Sequence, residues 1–302
     1  MHQRAAVVLP QEKGGLHERA MLVALTVGKW GISRDENGAL AEIMKAGDAD
    51  PAMMTLRKKL IRRDAVKNLT HLEGALRQEH NFLTLPWDDS GYRILTNAGY
   101  FRYTEKMNDL VEKYNAAADE LVENYEELKA EARKLLGKRY NEKQYPDAVR
   151  LRARYKARIV IRPITGAEDF RVQLSGTEAA VIRKQLEGEF EDQMKAAYGS
   201  IWARLSEVLT HAADRLKAYT VNAEGKVENS FRDSLVNNIK ELLEVVPTLN
   251  VNNDPTVNEF VVRIQKEITQ FHPDTLRYNA RVRGEVIKAA DDILARIQEF
   301  AL

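Results

Sequence analysis

Between residues 104 and 138 the apolar positions Met107, Val111, Tyr114, Ala118, Leu121, Tyr125, Leu128, Ala132 and Leu135 follow one another in alternating steps of 4 and 3. That spacing holds a period of about 3.5 residues, and it predicts a helix laying a narrow apolar seam against another element. At the usual rise such a helix is roughly 50 Å long, and a rod of that length needs cover along its seam. Gly137 supplies a C-terminal stop, with Lys134, Lys138 and Arg139 set against the negative end of the dipole. A second rod follows a Ser175–Glu178 capping pair, with Ile182, Leu186, Phe190, Met194, Ala197, Ile201, Leu205, Val208, Ala212, Leu216 and Tyr219 on one face. Its mean period is about 3.7, so it runs nearly straight. The two rods are expected to pack as an antiparallel, coiled-coil-like pair.

Shorter signals fill the rest. Met21, Val23, Leu25 and Val27 alternate, which predicts a strand within 20–32. A short helix is expected at 36–46. Asp50–Pro51 reads as a helix start, and Leu56, Leu60, Leu69, Leu72 and Leu76 mark one or two helices to about His80. A short apolar run at 92–95 follows, and 150–174 reads as two strands, the second carrying Phe170, Val172 and Leu174. Helices then start near Ser230, stopping at Pro247, and at Pro255 and Pro273. The expected fold class is α+β, mostly α: the helix pair, a small sheet from 20–32, 92–96 and 150–174, and a helical C-terminal unit. The expected organisation is a flexible arm at 1–19, the long-helix pair with its sheet at 20–229, and a three-helix unit at 230–302.

Composition narrows the function classes. The 302 residues carry a net charge of +1, so no bulk field commits the chain to nucleic acid or an anionic membrane. There is no cysteine, which excludes disulfides, thiolate metal sites and cysteine nucleophiles and suits the cytoplasm. The apolar run near residue 7 is too short for a secretory core, and no stretch approaches a membrane span.

Local charge is more informative. Arg150, Arg152, Arg154, Lys156 and Arg158 alternate with Leu151, Ala153, Tyr155, Ala157 and Ile159. On a strand, five cations would line one face. Such a row suits a phosphate backbone or an acidic partner; it equally suits a half-buried edge strand whose wet face is basic. A second cluster, Arg57, Lys58, Lys59, Arg62, Arg63 and Lys67, is expected on a helix, as a solvated face or, if it faces the first, as part of a nucleic-acid groove. Asp119, Glu120, Glu123, Glu126, Glu127 and Glu131 lie off the seam and read as wet surface. Asp88 and Asp89 could hold Mg²⁺ but also match an ordinary turn, and Asn250, Asn252, Asn253 and Asp254 read as capping rather than a calcium loop. The six histidines lack metal-ligand spacing, and the chain has no Walker A, Gly-x-Gly-x-x-Gly or nucleophile-elbow sequence. No catalytic residue, metal or cofactor is expected.

Four stretches carry a resemblance: LTVGKWGISRDE at 25–36, GYRILTNAGYFRYTEKMNDLVEKY at 91–114, RYNEKQYPDAVRLRARY at 139–155 and FRDSLVNNIKELLEVVPTLNVNNDP at 231–255. Together they make the whole chain resemble a functionally uncharacterised family of bacteria, phages and mobile elements. Genes of that family often lie near a MoxR-type AAA+ ATPase, so the resemblance implies such an ATPase as a partner and implies no catalytic residue. The expectation is a non-enzymatic interaction or scaffold protein of phage or mobile-element origin, self-associating or binding a protein partner. The alternative is a nucleic-acid-binding protein using Arg150–Arg158 with Arg62 and Arg63.

Overall fold

The computed structural model describes residues 16–47, 50–165, 176–222, 224 and 226–300. A helical turn, α1 (Leu16–Arg19), leads into β1 (Ala20–Gly28), β2 (Ser33–Asp35), α2 (Asn37–Gly47), β3 (Arg57–Lys59), α3 (Lys67–Phe82), β4 (Leu85–Pro86) and β5 (Arg93–Thr96). Then come α4 (Tyr100–Glu123), α5 (Tyr125–Leu136), α6 (Ala148–Arg154) and β6 (Lys156–Pro163). The C-terminal part holds α7 (Gly176–Ala218), α8 (Ser234–Leu249), α9 (Pro255–Ile264), α10 (Pro273–Tyr278) and α11 (Ala280–Ile297). The fold is α+β and mostly α, 67% helical, with a sheet ordered β4-β5-β1-β6 and a separate two-stranded antiparallel sheet of β2 and β3. Of the arm expected at 1–19, residues 16–19 instead form α1, with Leu16 buried; residues 1–15, the second strand expected around Phe170–Leu174 and the Ser175 cap lie outside the described residues.

Two compact units interleave along the chain. Met1–Ala24, Asn81–Tyr103 and Ile161–Leu302 form the first, Leu25–His80 and Thr104–Val160 the second.

In the first unit α7 is the spine, with α8, α11 and β4 packed on it. Its core centres on Trp202, which meets Phe260 edge-on and stacks on Phe300, each at 5.1 Å between ring centres. β1 pairs antiparallel with β5, from Ala20 opposite Thr96 to Val23 opposite Arg93. Two guanidiniums close the carbonyl cluster at 81–84. Arg204 donates to the carbonyls of Asn81, Phe82 and Thr84 at 2.7–2.9 Å, and Arg93 to those of Asn81 and Thr84 at 3.1–3.3 Å. Cations are favoured where a helix ends in unpaired carbonyls. The helix starts follow their caps: Asp254 accepts from the Thr256 amide, and Asn279 from those of Arg281 and Val282. The Asn279 cap splits the expected last helix into α10 and α11, and Arg283 turns back onto the carbonyls of Leu276 and Arg277. Pro247 does not stop α8, which continues for two more residues; a proline in the last turn disrupts few helical hydrogen bonds.

In the second unit the seam is continuous through α4 and α5. The Asn124 side-chain amide donates to the Glu120 carbonyl at 2.9 Å, competing with the backbone and marking the junction. Met107, Tyr114, Ala118, Leu121, Tyr125 and Ala132 are buried. Their cover comes from short elements of the same unit: Tyr114 donates to the Gly28 carbonyl at 2.7 Å, Tyr125 to that of Pro146 at 2.9 Å, and Trp30 meets Tyr125 edge-on. A side chain at Gly28 would stand 2.8 Å from the Arg154 carbonyl oxygen, so glycine lets the strand approach this turn. Gly137 ends α5 with φ +51° and ψ −125°, a glycine conformation but not the left-handed helical cap that the sequence suggests.

Both basic clusters change secondary structure. Asp147 accepts from the Arg150 amide at 2.7 Å and caps α6, so Arg150, Arg152 and Arg154 are helical and only Lys156 and Arg158 lie on a strand. Alternation over a handful of residues did not outweigh a proline–aspartate helix start. The cluster at 57–67 is not helical at its beginning: Arg57–Lys59 pairs with β2, and helical structure restarts at Asp64, as a 3₁₀ turn at Asp64–Val66 that runs into α3 at Lys67. Asp50 does accept from the Ala52 amide, but the turn it caps is a single 3₁₀ turn at Pro51–Met53.

Candidate functional site

In the second unit, β3 and the segment after it run beside the last turns of α5. Along β3 the side chains alternate. Arg57 pairs with Asp35 at 2.9 Å and Lys59 donates to the Ser33 hydroxyl at 2.6 Å, while Lys58 reaches Glu36 at 2.5 Å and the Arg139 carbonyl at 2.6 Å. Lys58 therefore ties the strand to the end of α5. The next residues, Leu60 and Ile61, are buried. The Tyr145 hydroxyl holds the Leu60 carbonyl at 2.7 Å. Arg62 spans Asp64 at 2.9 Å and Glu131 on α5 at 3.2 Å. Glu131 first, and Asp64 with it, raises the Arg62 pKa, so its charge is secure.

These ties frame a cleft of about 310 Å³. Its apolar lining comes from Leu60, Ile61, Leu128, Ala132, Leu135 and Leu136, and its charged lining from Lys58, Lys59, Arg62 and Glu131. Here the seam comes out into solvent: Leu128 is half-buried and Leu135 is 68% exposed. Of its three cations, Lys58 is neutralised by Glu36 and Arg62 by Asp64 and Glu131, which leaves Lys59 as the lining cation without a carboxylate partner among the described residues.

A second uncovered apolar surface, this one acidic, lies in the first unit. None of residues 176–193 of α7 is buried, and the first buried position is Met194. Over about 27 Å of helix this stretch shows half-exposed Ile182, Leu186 and Phe190 at four-residue steps, with Val181 65% exposed beside them. Phe190 meets Trp87 edge-on at 5.6 Å. Glu178, Glu187, Glu189, Glu191 and Asp192 against Arg183 and Lys184 give the stretch −3 (2 − 5). Sequence periodicity read these residues as buried seam. A signal was present in the acidic run Glu187–Asp192, where the later turns of the same helix are rich in alanine and large apolar residues.

The expected cations are dispersed. Arg150 pairs with Asp147 at 3.2 Å, and Arg152 pairs with Asp119 while donating to the Tyr155 carbonyl. Arg154, Lys156 and Arg158 are exposed and have no acidic partner among the described residues. Arg62 joins the cleft; Arg63 is exposed beside it. Asp119 and Glu131, which anchor Arg152 and Arg62, are about 18 Å apart along the rod and about a third of a turn apart around it. The two clusters thus do not converge on one face. Two of the six carboxylates read as wet surface on the rod are in fact pairing partners for these arginines.

Other candidates resolve into local structure. Asp88 accepts from the Ser90 amide and hydroxyl and from the Tyr92 amide, a turn built on one carboxylate. The Asn250 side chain donates to the Asp254 carbonyl and accepts from the Asp254 amide, and the Asp254 carboxylate accepts from Tyr198. Among the described residues no group of three or more His, Asp or Glu is placed to hold a metal ion. No helix among them is long and apolar enough to cross a membrane. No protein-family model, curated protein or solved structure matches the chain.

Proposed function

We propose that this protein is a non-enzymatic scaffold that assembles with copies of itself, residues 176–193 of one copy docking in the Leu128–Leu136 cleft of the next. One observation carries the reading: the seam loses its cover at an apolar cleft edged by the exposed cation Lys59, while the same chain presents an uncovered helix of net −3 with an apolar stripe. Exposed apolar surface of this kind marks interaction sites, and opposite charge steers and orients the encounter. An acidic amphipathic helix in an apolar groove is a recurrent recognition mode. Because the two surfaces differ, the contact is head-to-tail and generates rings or filaments. The family resemblance points to a MoxR-type AAA+ ATPase as the partner that such an assembly serves, and to a phage or mobile element as its source.

Nucleic-acid binding is a second reading, favoured by the exposed cations Arg154, Lys156 and Arg158, which no carboxylate among the described residues neutralises. Light scattering over a concentration series, with nuclease-treated protein, separates the two. Self-assembly predicts a mass that rises above the 34.4 kDa chain as concentration increases, with or without nuclease. A constant 34.4 kDa species, or an assembly that nuclease dissolves, counts against it.

A further inference from the structure

In the first unit an open surface pocket of about 350 Å³ lies between the C-terminal half of α7 and the start of α8, and its six polar lining residues are all exposed. His211 and Arg215 face it from α7, one helical turn apart. Ser234 and Asn238 face it from α8 at the same spacing, and Ser230 and Arg232 come from the segment between the helices. The lining holds two guanidiniums and no carboxylate, a net +2 with histidine neutral. Neighbouring cations are neutralised: Lys217 meets Asp291 at 2.7 Å, and Arg277 meets Asp233 at 2.5 Å. Arg215 and Arg232 have no such partner among the described residues. Asp233, the carboxylate next to Arg232 in sequence, is drawn to Arg277.

We propose that this pocket binds the phosphate group of a small organic phosphate. Two arginine forks, two hydroxyls, an amide and an imidazole supply more donors than a carboxylate can accept, and they suit the three oxygens of a phosphate monoester. Guanidinium groups are the side chains best matched to that geometry. The volume lies within the range of small-molecule sites and exceeds what the phosphate alone fills. Phe231 and Leu235 form the apolar part of the wall, where the organic part of the ligand rests. The site uses none of the residues of the assembly surfaces and stands independently of that reading.

Calorimetric titration of the full chain with inorganic phosphate, adenosine monophosphate and adenosine tests this. Phosphate and the nucleotide should bind and adenosine should not. Arg215→Gln and Arg232→Gln should each weaken nucleotide binding by about tenfold or more, the usual effect of losing a charge-assisted hydrogen bond. Lys217→Gln, on the same helix but outside the pocket, should leave it unchanged. Chemical-shift mapping on the wild-type chain gives a readout that does not depend on the variants folding, and the shifts should centre on 211–215 and 230–238. The proposal fails if neither phosphate compound binds at about 10 mM, a concentration that detects even millimolar affinity. It also fails if adenosine binds as well as its phosphate, if the arginine variants bind unchanged, or if the shifts map elsewhere.

Discussion

The hydroxyl of Tyr145 donates to the carbonyl oxygen of Leu60 at 2.7 Å, and both residues are buried. This bond fixes the wall of the cleft to the turn that precedes α6, two segments separated by 85 positions in sequence. Burial first, and then Tyr140 and Glu142 nearby, pushes the Tyr145 pKa up to about 12, so the donor keeps its proton throughout the ordinary pH range. Tyr145→Phe leaves the Leu60 carbonyl without its partner and should cost about 1–3 kcal/mol. Urea melts check this, and a loss below about 0.5 kcal/mol, the range of surface changes, would contradict it.

Along one seam, burial grades the expected effects. Leu121 is buried, and Leu121→Ala should cost about 2–5 kcal/mol. Leu128 is half-buried, and its truncation should cost about 1 kcal/mol, near the typical value for a point substitution. Leu135→Glu should stay within about 0.5 kcal/mol of wild type, because the side chain is in water in the isolated chain. Equal losses at all three positions would show that the seam is covered to its end.

The first rod was legible because its nine apolar positions follow a strict 4–3 alternation, and the second as a helix from its period of about 3.7, though not where its burial begins. Their cover was not, since Gly28, Trp30 and Pro146 carry no periodic signal and meet Tyr114 and Tyr125 only through tertiary structure. The basic stretch shows the limit of a pattern over few residues: Arg150, Arg152 and Arg154 alternate like a strand, yet Asp147 caps them into a helix. Of the candidate site, Arg62 was visible as charge but its cleft was not, because Leu135 looks like any other seam residue until burial is known. His211 and Arg215 gave no motif at all; they become a site only where α8 brings Ser234 and Asn238 opposite them.

Glu142 predicts an acid-sensitive contribution. It accepts from the Tyr140 hydroxyl at 2.7 Å and meets Lys129 and Arg133 at 2.9 Å. Together these hold its carboxyl at about 2, well below the ordinary value of about 4.3. A depressed folded-state pKa means that the unfolded chain takes up the proton first. The stabilisation is therefore complete above the ordinary value and is lost as pH falls through the folded value. The difference in urea midpoint between wild type and Glu142→Gln should be constant above about pH 5 and shrink towards zero near pH 2, and salt should reduce it. A difference that does not change with pH would contradict the assignment.

Arg204 should matter more than its neighbours on α7. It serves three carbonyls, and burial first, with Arg93 nearby, lowers its pKa to about 10. Arg204→Met should cost about 2–4 kcal/mol by leaving that cluster short of donors. Arg204→Lys should recover less than half of the loss, because an ammonium cannot reproduce the planar fork. Full recovery by lysine in denaturant melts would show that charge alone is needed there.

The most direct test of head-to-tail assembly is to mix two variants that each lack one surface. Leu135→Glu spoils the cleft and leaves residues 176–193 intact; Leu186→Glu spoils the helix and leaves the cleft intact. Each alone should sediment as a single 34.4 kDa chain at concentrations where wild type assembles. Mixed in equal amounts, they should form a heterodimer of twice that mass and nothing larger, since one intact cleft and one intact helix remain between them. Wild type that stays at 34.4 kDa at every concentration, or a mixture that sediments like its separate components, would contradict the account.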